Sequence, residues 1–375
     1  MSDAVPEAPA PTGAPAEHDR ETTATLERAL FEVKRVIVGQ DTLVERLLVS
    51  LLARGHCLLE GAPGVAKTLA VQTLAATCGG SFARLQFTPD LVPSDIVGTR
   101  IYRASSEEFD VELGPVFANF VLADEINRAP AKVQSALLEA IAEHQVSLAG
   151  RSYQVPEPFI VLATQNPLES DGVYPLPAAQ LDRFLFKVAI LPPSARDELA
   201  ILDRMGRLSD VPDPVQVLSP TTVLLLQQQA ELAFVHPAVA DYVVRLVVAT
   251  RDLRGAGLPE LDGVLDYGAS PRASLGLVAA ARALALVRGR TYVLPADVAD
   301  LAPDVIAHRL GMSFDALAEG VPPRHVVERI LAAVPQPRIA PAQPISSAPS
   351  PPPNGSAPEA PQQRPAWNRR PWVRT

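Results

Sequence analysis

Gly61-Ala62-Pro63-Gly64-Val65-Ala66-Lys67-Thr68 is the stretch whose reading decides the fold. A short apolar run at residues 56–59 leads into it, and an apolar helical pattern follows through Leu74, so the order is strand, small-residue loop, helix. In that context the loop becomes an anion site. Backbone N–H groups and the helix N-terminus face the phosphates, the Lys67 ammonium reaches the β and γ oxygens, and the Thr68 hydroxyl binds Mg²⁺. The expected ligands are ATP and Mg²⁺, cradled by Gly61, Ala62, Pro63, Gly64, Val65 and Ala66, with Leu69 in the first helical turn. One position departs from the general pattern, which has glycine immediately before the lysine where this chain has Ala66. Alanine adopts positive φ only at a cost, so a near-helical backbone is expected there.

Outward from the loop, short apolar runs alternate with helical patterns, as in a parallel α/β sheet. The candidate strands are residues 56–59, 83–87, 120–123, 159–164 and 184–188, each apolar on both faces as buried parallel strands are. Val133, Leu137, Ala140, Ile141 and His144 recur at helical spacing between the third and fourth strands. Two β-hairpins interrupt the rhythm, one pairing residues 100–103 with 109–113 and one pairing 146–148 with 153–155. From Pro193 onward the periodicity is helical with no convincing strand, and proline opens several of the segments. The expected organisation is a tail at 1–20, an α/β nucleotide domain at 21–192, a small helical domain at 193–334 and a second tail at 335–375.

The run Phe120-Val121-Leu122-Ala123 ends in Asp124-Glu125. At the carboxyl end of a parallel strand both side chains reach the ligand crevice. Asp124 is the candidate for holding Mg²⁺ through water, and Glu125 for orienting and deprotonating the attacking water. Asn166 ends the next strand, as a candidate for holding that water or the γ-phosphate. Arg183, in Leu181-Asp182-Arg183-Phe184, and Arg272, in Ser270-Pro271-Arg272, are two further candidates.

With these motifs in this order, residues from about Leu26 to Ala333 resemble the AAA+ superfamily and, within it, the MoxR family of ATPases. The loop with Pro63 and Ala66 matches that family's form. Asp124 to Pro130 resembles its Walker B segment, Ala163 to Pro167 its sensor 1, Tyr174 to Phe184 its arginine-finger segment, and Ser270-Pro271-Arg272 its sensor 2. The resemblance implies a P-loop AAA+ module: a five-stranded parallel sheet with helices on both faces and β-hairpin inserts, followed by a small α-helical lid. It implies a homo-oligomeric ring, commonly a hexamer, in which Arg183 of one subunit meets the ATP of its neighbour. An arginine supplied in trans is independently expected, since such groups are worth roughly 10³ to 10⁵ in rate in other nucleotide hydrolases. Arg272 is expected to sense the γ-phosphate and couple hydrolysis to rotation of the lid. Gly39 and Gln40 resemble the loop that packs near adenine. Arg128 is a candidate for the subunit interface, and Tyr102 with residues 103–109 for the pore. The family role is chaperone-like, remodelling or activating a protein client, often one with a von Willebrand factor A domain or a metal cofactor. The alternatives are a magnesium-chelatase-type ATPase and a nucleic-acid motor.

Bulk properties narrow the choice. Net charge is −9, and the arginines beyond Pro335 leave the body of the chain more acidic still, which argues against a large nucleic-acid footprint. Cys57 and Cys78 are the only cysteines, too few for a disulfide framework. No apolar stretch is long enough to span a bilayer, and the N-terminus lacks signal-peptide features, so no membrane insertion and a cytoplasmic location are expected. The C-terminal segment from Arg364 interleaves Trp367 and Trp372 with arginines, a composition suited to docking a partner.

Overall fold

α1 (Glu17–Val36) and α2 (Asp41–Leu52) precede β1 (Cys57–Glu60), which passes through the loop into α3 (Lys67–Cys78) and β2 (Phe82–Gln86). A short α4 (Pro93–Val97) introduces the hairpin of β3 (Gly98–Arg103) and β4 (Glu108–Leu113). β5 (Phe120–Asp124) and α5 (Ala131–Glu143) follow, then the hairpin of β6 (Gln145–Leu148) and β7 (Arg151–Gln154). β8 (Ile160–Gln165), α6 (Ala178–Leu181) and β9 (Phe186–Ala189) complete the first half. The computed structural model describes residues 17–104, 107–148, 150–167, 172–206 and 212–338. The tryptophan-bearing C-terminal segment lies outside them.

Both hairpins and all five candidate strands form. The sheet order is β2-β5-β8-β1-β9 with every pairing parallel. Helical crossovers force that arrangement, because a parallel neighbour cannot be reached by a tight turn. On one face Leu85, Phe87, Val121, Ala123, Val161 and Ala163 pack against Val133, Leu137, Ala140 and Ile141 of α5. On the other, Leu59, Leu122 and Leu162 are fully buried, and α3 lies against β5. Truncating any of these leucines to alanine removes about 2 to 5 kcal/mol. His144 does not continue α5 but caps it, with φ 51°.

The second half runs α7 (Ala195–Met205), α8 (Pro220–Leu232), α9 (Pro237–Ala249), β10 (Leu265–Tyr267), α10 (Pro271–Val287), α11 (Pro295–Ile306), β11 (Gly311–Met312), α12 (Phe314–Ala318) and α13 (Pro323–Ala333). Proline sits in the first turn of α8 to α11 and of α13. The helical reading needs one correction: β10 and β11 form a small antiparallel ribbon. Each is too short to show an alternating pattern, and their pairing spans two intervening helices. A second difference lies at the start, where α1 takes in residues 17–20. Its Leu26, Ala29, Val33 and Val36 are buried, and Thr22 bonds Gln229 Oε1 at 3.1 Å, a long-range contact that holds the first turns.

Buried charge joins the helical half to the rest. Arg46 of α2 donates to Asp304 Oδ2 and Asp300 Oδ1 of α11, both at 2.9 Å. Arg309 donates to the Phe184 carbonyl at 2.6 Å, just ahead of β9. The described residues accordingly fall within one compact unit. The parallel sheet gives that unit two chemically distinct edges, one at the carboxyl ends of the strands and one at the amino ends.

Candidate nucleotide site

At the carboxyl edge, β1 delivers the loop and β8 supports it, with Gly61 N–H donating to the Gln165 carbonyl at 3.3 Å. Lys67 Nζ donates to the Gly61 carbonyl at 2.6 Å, closing the loop on itself. Gly64 has φ 83° with open space around it, as a residue presenting its backbone to a ligand needs. The expectation for Ala66 is overturned. Its φ is 60° and ψ 23°, a left-handed conformation in the residue that caps α3. The chain must reverse there to aim successive N–H groups into one concavity, and that nest requires a left-handed residue whatever its side chain. Alanine there costs roughly 1 to 2 kcal/mol.

Glu125 repeats the device, with φ 56° and ψ 49° directly after β5. The left-handed turn lets consecutive carboxylates face the same crevice, where strand geometry alone sends neighbours to opposite sides. Thr164 holds both: its hydroxyl donates to Asp124 Oδ1 at 2.6 Å and accepts from the Glu125 N–H at 2.8 Å. Arg84 of β2 lies on the other carboxylate oxygen, with Nη2 at 2.6 Å and Nε at 3.2 Å from Asp124 Oδ2. Gln86 Nε2 donates to Glu125 Oε2 at 2.8 Å, and Arg128 Nε stands 3.1 Å from the same oxygen. Arg128 therefore meets the candidate base of its own subunit.

Thr164, Arg84 and Gln86 did not emerge from the motifs. The available signal was the alternation of Arg84 and Gln86 in an otherwise apolar strand, which places both on the Asp124 face. Register gives the rest: Gln86 lies opposite Asp124, and Ala123 opposite Ala163, which sets Thr164 abreast of Asp124.

Asn166 is buried and follows Gln165, the register partner of Glu60, so it stands beside the start of the phosphate loop. Gly39 and Gln40 come to the same edge. Gln40 Nε2 donates to the Leu191 carbonyl at 3.0 Å, and Gly39 at φ 70° leaves no room for a Cβ, which would meet Asp197 Cγ at 2.6 Å. The carboxylate of Asp124 and the hydroxyl of Thr68 are hard oxygen donors, suited to Mg²⁺ completed by phosphate and water. The Arg84 guanidinium already places positive charge on that carboxylate. Among the described residues, no group of three or more His, Cys, Asp or Glu could hold a metal by itself.

Arg183 and Arg272 lie elsewhere. Both precede or flank the amino end of β9, which pairs in parallel with β1 from Cys57–Phe186 to Glu60–Ala189. About 13 Å of strand separates them from the phosphate loop. Arg183 is exposed and donates to the Leu138 carbonyl of α5. Asp182 gathers Arg309 Nε at 2.8 Å, Ser270 Oγ at 3.2 Å and Arg272 Nη1 at 3.5 Å. Arg272 thus lies against Asp182, just ahead of β9.

The family model described as "ATPase family associated with various cellular activities (AAA)" matches residues 56–186, and the AAA lid domain matches residues 262–330. Chaperone MoxR1 of Mycobacterium tuberculosis is 60% identical over 315 residues, covering 84% of this chain and 83% of that protein. The chain belongs to the MoxR family of AAA+ ATPases. Protein MoxR of Methylorubrum extorquens is 34% identical, over 78% of this chain and 88% of its own length. A crystal structure from Cytophaga hutchinsonii, described as a candidate ATPase, superposes with a TM-score of 0.81 at 42% identity, covering 86% of this chain and 98% of that one. As a MoxR-type AAA+ protein the chain is an ATP hydrolase, and its helical half contains the lid. No helix among the described residues is long and apolar enough to cross a membrane.

Proposed function

We propose that this MoxR ATPase works as a cytoplasmic homo-oligomeric ring, a hexamer, in which each ATP is bound by one subunit and completed by the next. The observation that carries the reading is the division of its site residues between two edges of one parallel sheet. Lys67, Thr68, Asp124, Glu125 and Asn166 stand at the carboxyl edge, and Arg183 with Arg272 at the amino edge. An arginine pair held at the edge opposite its own phosphate loop is suited to a neighbour's, in a head-to-tail contact that closes into a ring.

In this reading Lys67 and the N–H groups of residues 61–68 bind the phosphates, and Asn166 holds the γ-phosphate or the attacking water. Thr68 and Asp124 would hold Mg²⁺, which, when bound, neutralises charge on the β and γ oxygens. Glu125 takes the proton from water after leaving Gln86 and Arg128. Arg183 and Arg272 of the adjoining subunit stabilise the charge that develops in flight. In this reading Arg272 senses the neighbour's γ-phosphate. The work done is remodelling or activation of a protein complex, with a von Willebrand factor A domain partner or a metal-loaded client as the class sought.

Mixing two inactive proteins tests the shared site. Arg183→Ala keeps a complete carboxyl edge, and Glu125→Gln keeps a complete amino edge. Random mixing should regenerate about a quarter of the interfaces in working form and restore ATPase activity in proportion. A mixture as inactive as its parts would end the trans assignment. Affinity capture with Glu125→Gln and ATP, which should bind without turnover, addresses the client; equal recovery of every protein without ATP would count against a nucleotide-gated client.

A further inference from the structure

Arg84 makes the most committed contact at the carboxyl edge that the hydrolytic reading leaves unused. Its guanidinium places Nη2 and Nε on a single oxygen, Asp124 Oδ2, at 2.6 and 3.2 Å, while Thr164 donates to Oδ1 at 2.6 Å. Nη2 also donates to Gln86 Oε1 at 3.2 Å, which fixes the guanidinium plane. The Asp124 side chain is 12% exposed and that of Arg84 49%. One partner is therefore screened from water while the other has a route outward.

We propose that Arg84 is a positioning residue that competes with the divalent cation for Asp124, so that Mg²⁺ loads only as the guanidinium is displaced. This rests on the reading of Asp124 as the metal-holding carboxylate. A carboxylate oxygen can accept more than one partner, but a guanidinium and a doubly charged ion a few ångströms apart repel strongly in a partly buried crevice. Arg84 keeps Asp124 aimed and its charge neutralised until the cation arrives with the nucleotide. The consequence is a raised Mg²⁺ threshold for tight nucleotide binding. An ordinary surface ion pair predicts no such threshold.

The test titrates MgCl₂ into the full chain with a fluorescent ADP analogue, starting from EDTA. In Arg84→Met the Mg²⁺ concentration at half-maximal tight binding should fall roughly three- to tenfold, the range of a charge-assisted contact that is partly screened. Arg84→Gln should shift it the same way, and Arg84→Lys, which keeps the charge, should stay near the parent. Affinity in EDTA should be shared by all four proteins. A midpoint unchanged or raised in both Met and Gln variants overturns the proposal. Failure of the parent protein to bind the analogue at any Mg²⁺ level would instead overturn the phosphate-loop reading, so the two failures are distinguishable. Arg84 is half-exposed, and matching thermal melts for at least one variant verify that the fold is retained.

Discussion

At the carboxyl edge of the sheet the backbone does the unusual work. Ala66 and Glu125 are left-handed at φ 60° and 56°, and a threonine hydroxyl ties the two acids together. At the amino edge the long side chains do it instead. Asp182 is held by Arg309, Ser270 and Arg272, and Arg183 is steered by the Leu138 carbonyl. On the proposed reading, the contrast follows from what each edge would meet. Phosphates of a nucleotide bound in the same chain are best met by N–H groups that do not move, and strained turns supply them. A neighbour's nucleotide must be reached across a gap, which calls for extended, always-charged arginines on a rigid base.

Substitutions that strike one edge and spare the other sharpen this contrast. The largest effect is expected for Arg183→Ala, a roughly 10³- to 10⁵-fold loss of kcat with nucleotide binding kept, read by steady-state turnover beside equilibrium binding. Parallel loss of binding would move Arg183 to the carboxyl edge in function and dissolve the distinction. Glu125→Gln should lower kcat by roughly 10²- to 10⁴-fold, again with ATP bound, whereas Lys67→Ala should lose binding itself. Wild-type turnover in Glu125→Gln would show that the assigned base is wrong.

The amino edge should matter more to stability. Asp182→Ala leaves Arg309, which is buried, without its carboxylate, at a cost of about 3 to 5 kcal/mol in denaturant melts. The same edge carries a pH dependence. Burial, with the nearby His144 charge, pushes His56 down from 6.5 to about 3, and burial pushes His308 well below 6.5 in the same direction. Both stay neutral inside while the unfolded chain takes up protons, so stability is full above about pH 6.5 and declines as pH falls below it. Each histidine contributes a slope of up to ~1.4 kcal/mol per pH unit. Thermal melts between about pH 7 and pH 5 check this, and His56→Asn, whose amide can accept from Val161 N–H as His56 Nδ1 does, should flatten the decline. The smallest effect is at the loop: Ala66→Gly relieves the left-handed alanine and should stabilise by about 1 kcal/mol at most, with binding kept. A destabilised Ala66→Gly would mean the alanine methyl contributes packing that outweighs its strain.

Strands and helices were legible because each carries its own periodicity, and the observed strand ends fall within a residue or two of the expected ones. The β10–β11 ribbon was not, since two- and three-residue strands have no period. Residues 17–20 read as tail because the Thr22–Gln229 contact that holds them spans 207 positions. The left-handed Ala66 was misread for a related reason: intrinsic preference opposed it, and only the demand of a converging N–H array explains it.

Motif order in the chain was sufficient to determine the parallel α/β fold and the MoxR relationship, and to single out Lys67, Thr68, Asp124 and Glu125 as site candidates, because these lie in local strand-loop-helix patterns. Packing in three dimensions was needed to bring Arg84, Gln86 and Thr164 onto Asp124 and Glu125 and to send Arg183 and Arg272 to the far edge. Those placements depend on strand register and on which end of a parallel sheet a helix meets, relationships between segments distant in sequence that no local pattern encodes.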